Sequence, residues 1–353
     1  MLSDISVKNI LENNIIKASA PCRIDAGGTW DIKAMSLAFE RYQPSTFNIA
    51  LNLRTTVSLL PFRNGMIKIT SEGFPDGVGY SLRDINLSGP FSIFLAAANY
   101  FGFTGLEIKI YSESPVKSAL GGSSTALVAL IKALAKLNEL TGRKRRFSKK
   151  DILFLGYHLE DGISGGNCGM QDQAAAVYGG VNSWLWNYSN RAMPVQRERL
   201  LDKNGISQLS KRILVAYSGK WHVSASTNRI WLNNFLEGKT RSGWLDANNV
   251  VRGLVKSVKS MDWCESARYM REEMKIRRKI TPDALIPETL LLIKDAEKFG
   301  CGARFAGAGA GGSVWALGEQ DDISQLKDKW NKSLSKIKGA CILNCSVDPH
   351  GVM

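Results

Sequence analysis

Apolar positions along the chain keep two spacings, and each spacing predicts an element. Alternation and β-branched content over residues 47–62 ("FNIALNLRTTVSLLPF") and 106–114 ("LEIKIYSES") predict strands. Between them, "PFSIFLAAANYFG" reads as a helix opened by Pro90 and closed near Gly102. Leu127, Leu130, Ile131, Leu134 and Leu137 take helical spacing after Ser123. A second helix, "KKDILFLGYHLED", puts Ile152, Leu155 and Leu159 on one stripe, stops at Gly162 and gives way to a glycine-dense loop, "GISGGNCGMQDQ". The polar stretch at 187–210 interrupts the pattern, so the boundary is set there, with domains at residues 1–195 and 196–353. Beyond it come a strand ("RILVAYSGK") and two helices ("WCESARYMREEMKIRRKI" and "PETLLLIKDAEKFG"), the second ended by Gly300. A strand, a glycine-rich turn and a strand follow in "CGARFAGAGAGGSVWAL", and "GACILNCSVDPHG" predicts the last strand. Helices and strands mix without a regular βαβ rhythm, which indicates an α+β protein and not a doubly wound sheet.

Bulk properties narrow the class. With 353 residues and 44% hydrophobic content the chain can bury a large core in two domains. The first twenty residues are too charged for a signal peptide, and no window reaches the apolar length of a membrane span, so a cytoplasmic protein without a membrane partner is expected. Six scattered cysteines and three histidines show no zinc spacing and suit reduced thiols. The net charge of +14 would permit nucleic-acid binding, yet its basic residues are spread out. The densest run, "GRKRRFSKK" at 142–150, reads as a solvated basic loop, with steering of anionic substrates second; no nucleic-acid partner is expected.

Candidate chemistry begins at "KSALGGSSTALVALIKAL", residues 117–134. A helix N-terminus carries unpaired backbone N–H groups and partial positive charge. Gly121 and Gly122 would let phosphate oxygens approach them, while Ser123 and Ser124 could cap the helix or ligate Mg²⁺. An ordinary glycine turn with a serine cap fits the same string, and the lysine of a Walker loop is missing. "SAPCRIDAGGTWD" adds Arg23, Asp25, Gly27, Gly28 and Asp31, and "LEDGISGGNCGMQDQ" adds Glu160 and Asp172. Together they supply what phosphoryl transfer needs: a backbone cradle, oxygen ligands for Mg²⁺, a carboxylate for the attacking hydroxyl and a cation.

"APCRIDAGGTWD", "PVKSALGGSSTAL" and "FAGAGAGGSVWAL" resemble, in chain order, the three motifs of the GHMP kinases. "NCGMQDQ", "GGTWD" and "CGMQDQAAAVYGG" are similar to the sugar kinases among them, the galactokinase, fucokinase and heptose 7-phosphate kinase branch. The resemblance implies an N-terminal domain with a left-handed βαβ crossover, a ferredoxin-like C-terminal domain, and an enzyme using ATP and Mg²⁺. It implies Asp172 as catalytic carboxylate with Arg23 beside it, and Ala119, Leu120, Gly121, Gly122, Ser123 and Ser124 around the nucleotide phosphates. Ser124 and Glu160 would ligate Mg²⁺, and Asp31, Gly28, Gly309 and Gly311 would bind the acceptor, a small-molecule sugar or sugar phosphate phosphorylated at its anomeric hydroxyl. Arg277, Arg278 and Lys279 would suit a phosphate already on the acceptor, though a solvated helix face accounts for them too. Ala119 and Trp30 depart from the family pattern and put substrate identity in question. A non-sugar alcohol as acceptor, or a non-catalytic nucleotide-binding protein, are the alternatives; oligomeric state stays open.

Overall fold

A computed structural model describes residues 4–27, 29–81, 89–222 and 224–353. The first layer opens with α1 (Asp4–Asn13), β1 (Ile16–Ala26), the short α2 (Lys33–Ser36), β2 (Ser45–Pro61), β3 (Met66–Ser71) and β4 (Phe74–Ser81). It continues through α3 (Ser92–Phe101), β5 (Leu106–Ser112), α4 (Gly122–Leu140), α5 (Lys149–Ile163), α6 (Gln171–Tyr178), β6 (Val181–Trp186) and β7 (Val195–Arg199). These strands form one 7-stranded sheet, ordered β4-β3-β5-β2-β6-β7 with β1 on β2. The 17-residue β2 organises it: β1 runs along one edge, while β6 and β5 share the other end to end, pairing at Ser45–Ile49 and Thr55–Pro61. The parallel pairing of β3 with β5 requires a crossover, which α3 provides.

α4 is the central helix. Leu127, Leu130, Ile131, Leu134 and Leu137, the stripe read from the sequence, are all fully buried. Small residues on its other faces, among them Ala126, Ala129 and Ala133, let it pack on β1 and β2 while α3, α5 and α6 close around it. Gly102 ends α3 in the left-handed conformation, and Ser148 and Asp151 form a capping box that starts α5.

The second layer holds α7 (Lys203–Ser210), β8 (Ile213–Tyr217), α8 (Ser224–Leu236), α9 (Arg241–Lys259), α10 (Trp263–Ile280), α11 (Pro287–Lys298), β9 (Gly302–Phe305), β10 (Ser313–Leu317), α12 (Gln320–Leu334) and β11 (Cys341–Leu343). Its strands are antiparallel in the order β11-β8-β10-β9, which is the 4-1-3-2 order of a ferredoxin-like sheet. The expected boundary at 195/196 falls on the first residue of β7, whose pairing with β6 carries the first sheet on to Arg199. The chain's end then returns to the first layer, where Met353 and Ser19 exchange backbone hydrogen bonds and Arg54 pairs with Asp348. No helix among the described residues is long and apolar enough to cross a membrane.

Candidate active site

The chain reaches the site along the free edge of β1. Pro21 cannot donate to a ladder, and the β1–β2 register shifts between Pro21 and Cys22. Just beyond that bulge, the Arg23 N–H donates to the Leu120 carbonyl at 3.0 Å, and its Nη1 donates to the Ala119 carbonyl at 2.7 Å. One residue thereby holds two successive loop carbonyls and leaves the N–H side of the loop open. α4 begins at Gly122 with Gly121 as N-cap at φ 76°, and no side chain caps it. Ser123 and Ser124, expected as possible caps, lie inside the first turn, the former exposed and the latter buried. The first N–H groups of α4 therefore remain available to an anion.

Ala119 stands at φ 62° where the family pattern has glycine. A left-handed backbone costs an L-residue about 1–2 kcal/mol. The Cβ is tolerated sterically because Gly312 faces it: a Cβ on Gly312 would come within 2.6 Å of the Ala119 Cβ.

Asp172 sits in the first turn of α6 and takes a hydrogen bond from Arg23 Nε at 2.8 Å. Its Oδ2 lies 3.2 Å from where a Cβ on Gly121 would be, so the carboxylate rests against the mouth of the phosphate loop. Asp25, one turn of the strand pleat from Arg23, is fully buried behind the pair. It accepts from Gly307 N at 2.7 Å and from Arg304 Nη1 at 2.8 Å, with Arg23 Nη1 3.7 Å away. Arg304 continues to Glu273 at 3.2 Å. Burial opposes the Arg23 charge, but Asp172 and Asp25 outweigh it and hold its pKa above the ordinary value. Burial likewise opposes ionisation of Asp25, yet Arg304, Arg23 and the Gly307 N–H keep it below the usual carboxylate range. Arg304 was not singled out in the sequence; an arginine inside the apolar strand "GARF" was its one signal.

Asp31 enters from the turn after β1 and accepts from Thr29 N at 3.1 Å and from Gln171 N, the first residue of α6, at 3.0 Å. Burial, with the Asp172 charge nearby, pushes its pKa up to about 7. Gly169 makes the approach possible, since a Cβ there would fall 1.7 Å from Asp31 Oδ2. Trp30 does not line the cavity; it is buried edge-on against Phe235 and Trp244. Glu160 on α5 bonds the Ser124 hydroxyl and accepts from Gln173 Nε2 at 2.6 Å, and burial, opposed by the Ser124 bond but helped by Asp172, raises it to about 7. Among the described residues no group of three or more His, Cys, Asp and Glu is placed to hold a metal. One carboxylate and one hydroxyl beside a phosphate cradle nevertheless fit Mg²⁺, which takes most of its oxygens from phosphates and water.

These residues meet in a cavity of about 570 Å³. Its wall holds an apolar cluster of Phe74, Phe91 and Phe94, the loop residues Ser118, Ala119 and Gly121 to Ser124, and the polar or aromatic Asp31, Asn167, Asn228, His222 and Trp231. The glycine-rich turn contributes Gly307 and Ala308 to the lining. Gly309 and Gly311, expected at the acceptor, instead pack where a Cβ would strike the carbonyls of Ala284 and Trp221. Gly28 lies outside the described residues. Arg277 is fully buried between Trp231 and Trp244, and Arg278 pairs with Glu297, so neither faces the cavity as a phosphate site would require.

A two-layer α+β protein with an uncapped helix N-terminus beside an arginine-held carboxylate is thus defined by geometry. Comparison assigns it further: the GHMP kinases N terminal domain matches residues 91–180, and the GHMP kinases C terminal matches residues 254–336. The chain thus carries both the N-terminal and the C-terminal domain of the GHMP kinases. It is 30% identical over 212 residues to a D-glycero-alpha-D-manno-heptose 7-phosphate kinase of Campylobacter jejuni, covering 58% of this chain and 59% of that one. It is 23% identical over 320 residues to a bifunctional fucokinase/GDP-fucose pyrophosphorylase of Arabidopsis thaliana, covering 84% of this chain and 29% of that one. The chain therefore spans less than two thirds of each of these two curated relatives. In fold it is similar to Lactococcus lactis galactokinase complexed with galactose, at 16% identity and TM-score 0.75 over 98% of both chains.

Proposed function

We propose that this chain is a sugar kinase, transferring the γ-phosphoryl group of ATP to a hydroxyl, the anomeric one, of a heptose 7-phosphate or of a hexose such as fucose or galactose. The observation that carries this reading is the Arg23–Asp172 pair set against Gly121. Phosphoryl transfer asks for little covalent chemistry and much positioning, so a carboxylate beside the anion cradle is the arrangement to look for. Asp172 orients the acceptor hydroxyl and takes its proton as the bond to phosphorus forms. Arg23, charged at every working pH, keeps that carboxylate aimed and balances charge on the transferred group. The first-turn N–H groups of α4 hold the nucleotide phosphates, and the phenylalanine cluster receives the base. Ser124 and Glu160 would hold Mg²⁺, which when bound neutralises charge on the phosphate oxygens. Asp31 accepts hydrogen bonds from acceptor hydroxyls. Six cysteines outside any disulfide suit a cytoplasmic enzyme.

The test is ADP release with Mg²⁺ATP against galactose, fucose, mannose, a heptose 7-phosphate, mevalonate and homoserine, with the new phosphate located by ³¹P NMR. Sugar-dependent turnover giving an anomeric phosphate is expected. Turnover confined to mevalonate or homoserine would overturn the sugar reading, and nucleotide binding without turnover across a wide sugar panel would overturn the kinase reading.

A further inference from the structure

A second cleft, of about 220 Å³, opens between the start of α5 and the β6–β7 hairpin. Its walls are aromatic, from Phe154, Tyr178 and Trp184, and its charged lining residues are Lys150 and Arg197. Arg197 lies 4.7 Å from the Tyr178 ring centre, and Lys149 lies 5.9 Å from it. Among the described residues no carboxylate lines the cleft. Those of two flanking residues are engaged elsewhere, Asp151 with Ser148 in the helix cap and Glu198 with Lys259. The cations consequently feel one another. Partial burial, then Arg197 and Lys132, depresses the Lys149 pKa, and partial burial with Arg199 nearby depresses that of Arg197. Trp184 is only 1% exposed, and its indole N–H finds no partner among the described residues. Arg197 Nε donates to Asn182 Oδ1 at 2.7 Å, which fixes the guanidinium, but its charge and that of Lys150 meet no carboxylate in the cleft. Unbalanced cations between flat apolar walls describe the complement of an anion with a ring.

We propose that this cleft binds a phosphate monoester carried on a small ring, its phosphate on Lys150 and Arg197 and its ring against Phe154 and Tyr178. The volume suits a monophosphate of one ring and not a dinucleotide. The cleft also has a mechanical link to the site described above. α5 runs from Lys150 here to Glu160 there, and α6 runs from Asp172 there to Tyr178 here. A ligand in the cleft therefore touches both helices that carry site carboxylates, and, on the kinase reading, binding there changes kcat.

Binding is tested apart from activity. Phenyl phosphate, inorganic phosphate and phenol are titrated by calorimetry into the full chain saturated with a non-hydrolysable ATP analogue, which fills the phosphate loop. Phenyl phosphate should bind, inorganic phosphate more weakly and phenol not measurably. The variant Lys150→Glu/Arg197→Glu should lose at least about tenfold in phenyl phosphate affinity, as expected when charge-assisted contacts are reversed, while keeping its affinity for the ATP analogue. Wild-type affinity for phenyl phosphate in that variant, or no binding to the wild type, would overturn the site. Loss of analogue affinity would mark a folding defect, and Lys150→Gln then repeats the comparison. A kcat that phenyl phosphate leaves unchanged despite binding would overturn the coupling alone.

Discussion

Gly169 has an ordinary backbone conformation, yet a methyl group there would overlap the Asp31 carboxylate. Gly169→Ala must therefore displace Asp31 from the Gln171 N–H, and kcat/KM for the acceptor should fall about 10²-fold while nucleotide affinity holds. Steady-state kinetics with each substrate varied in turn separates the two. Asp172→Asn should remove about 10²–10⁴-fold from kcat with nucleotide binding intact, because the cradle keeps its shape. Asp31 also sets a pH dependence. Its folded pKa, about 7, stands above the ordinary 3.8, so folding favours its protonated form and the associated stability is lost as pH rises from about 4 through 7. Acceptor binding follows the opposite sense, needing the ionised form; kcat/KM for the acceptor should rise with pH to a plateau just above 7. An Asp31→Asn variant that keeps that limb would assign it to another group. None of this was legible from "NCGMQDQ" alone, since a glycine required by a side chain far away in sequence looks like any loop glycine.

At the scale of elements, the helices with a complete apolar stripe were readable. α4, α10 and α11 lie where their spacing puts them: α10 and α11 each bury an apolar face, and the large apolar stripe of α4 marks it although the helix is buried nearly all round. The start of α4 was less so: a serine pair suggested a cap, whereas Gly121 in the left-handed region ends the loop and the serines continue the helix. The first three residues of α6 fall within the loop expected up to Gln173, for its eight residues hold too few large apolar side chains to show a period, and packing on β1 and α4 accompanies the helix. β7 hid in a polar stretch because an edge strand needs no apolar alternation. The helix start makes its own prediction. Gly121→Val introduces a side chain at φ 76° and against Asp172, so it should cost about 1–2 kcal/mol of stability. It should also weaken nucleotide binding at least about tenfold by blocking approach to the N–H groups. Calorimetric titration with an ATP analogue checks the second effect; unchanged affinity would remove α4 from the phosphate site.

On the scale of the molecule, the two layers are joined where the site is held. Asp25 belongs to the first sheet, Arg304 and Trp315 to the second, and all three are buried; Arg304 and the Trp315 indole both donate to the Asp25 carbonyl as well. The same carboxylate fixes Gly307 at the cavity wall and shares Arg23 with Asp172. Its folded pKa is lowered, so its contribution to stability is present above the ordinary value of 3.8 and is lost as pH falls through the lower folded one. Removing Arg304 reverses that balance. In Arg304→Met the buried Asp25 keeps one cation, Arg23, and Glu273 loses its ion-pair partner, a loss of about 3–5 kcal/mol by analogy with other broken buried pairs. Because Asp25 then pulls harder on Arg23, the guanidinium turns from Asp172, and kcat should fall while the KM for nucleotide changes little. Denaturant unfolding at pH 5 and pH 7, with kinetics on the folded fraction, reads both effects. A variant that loses stability but keeps wild-type kcat would show that Arg304 only joins the layers, and a lower kcat restored by Arg304→Lys would show that it also aims Arg23.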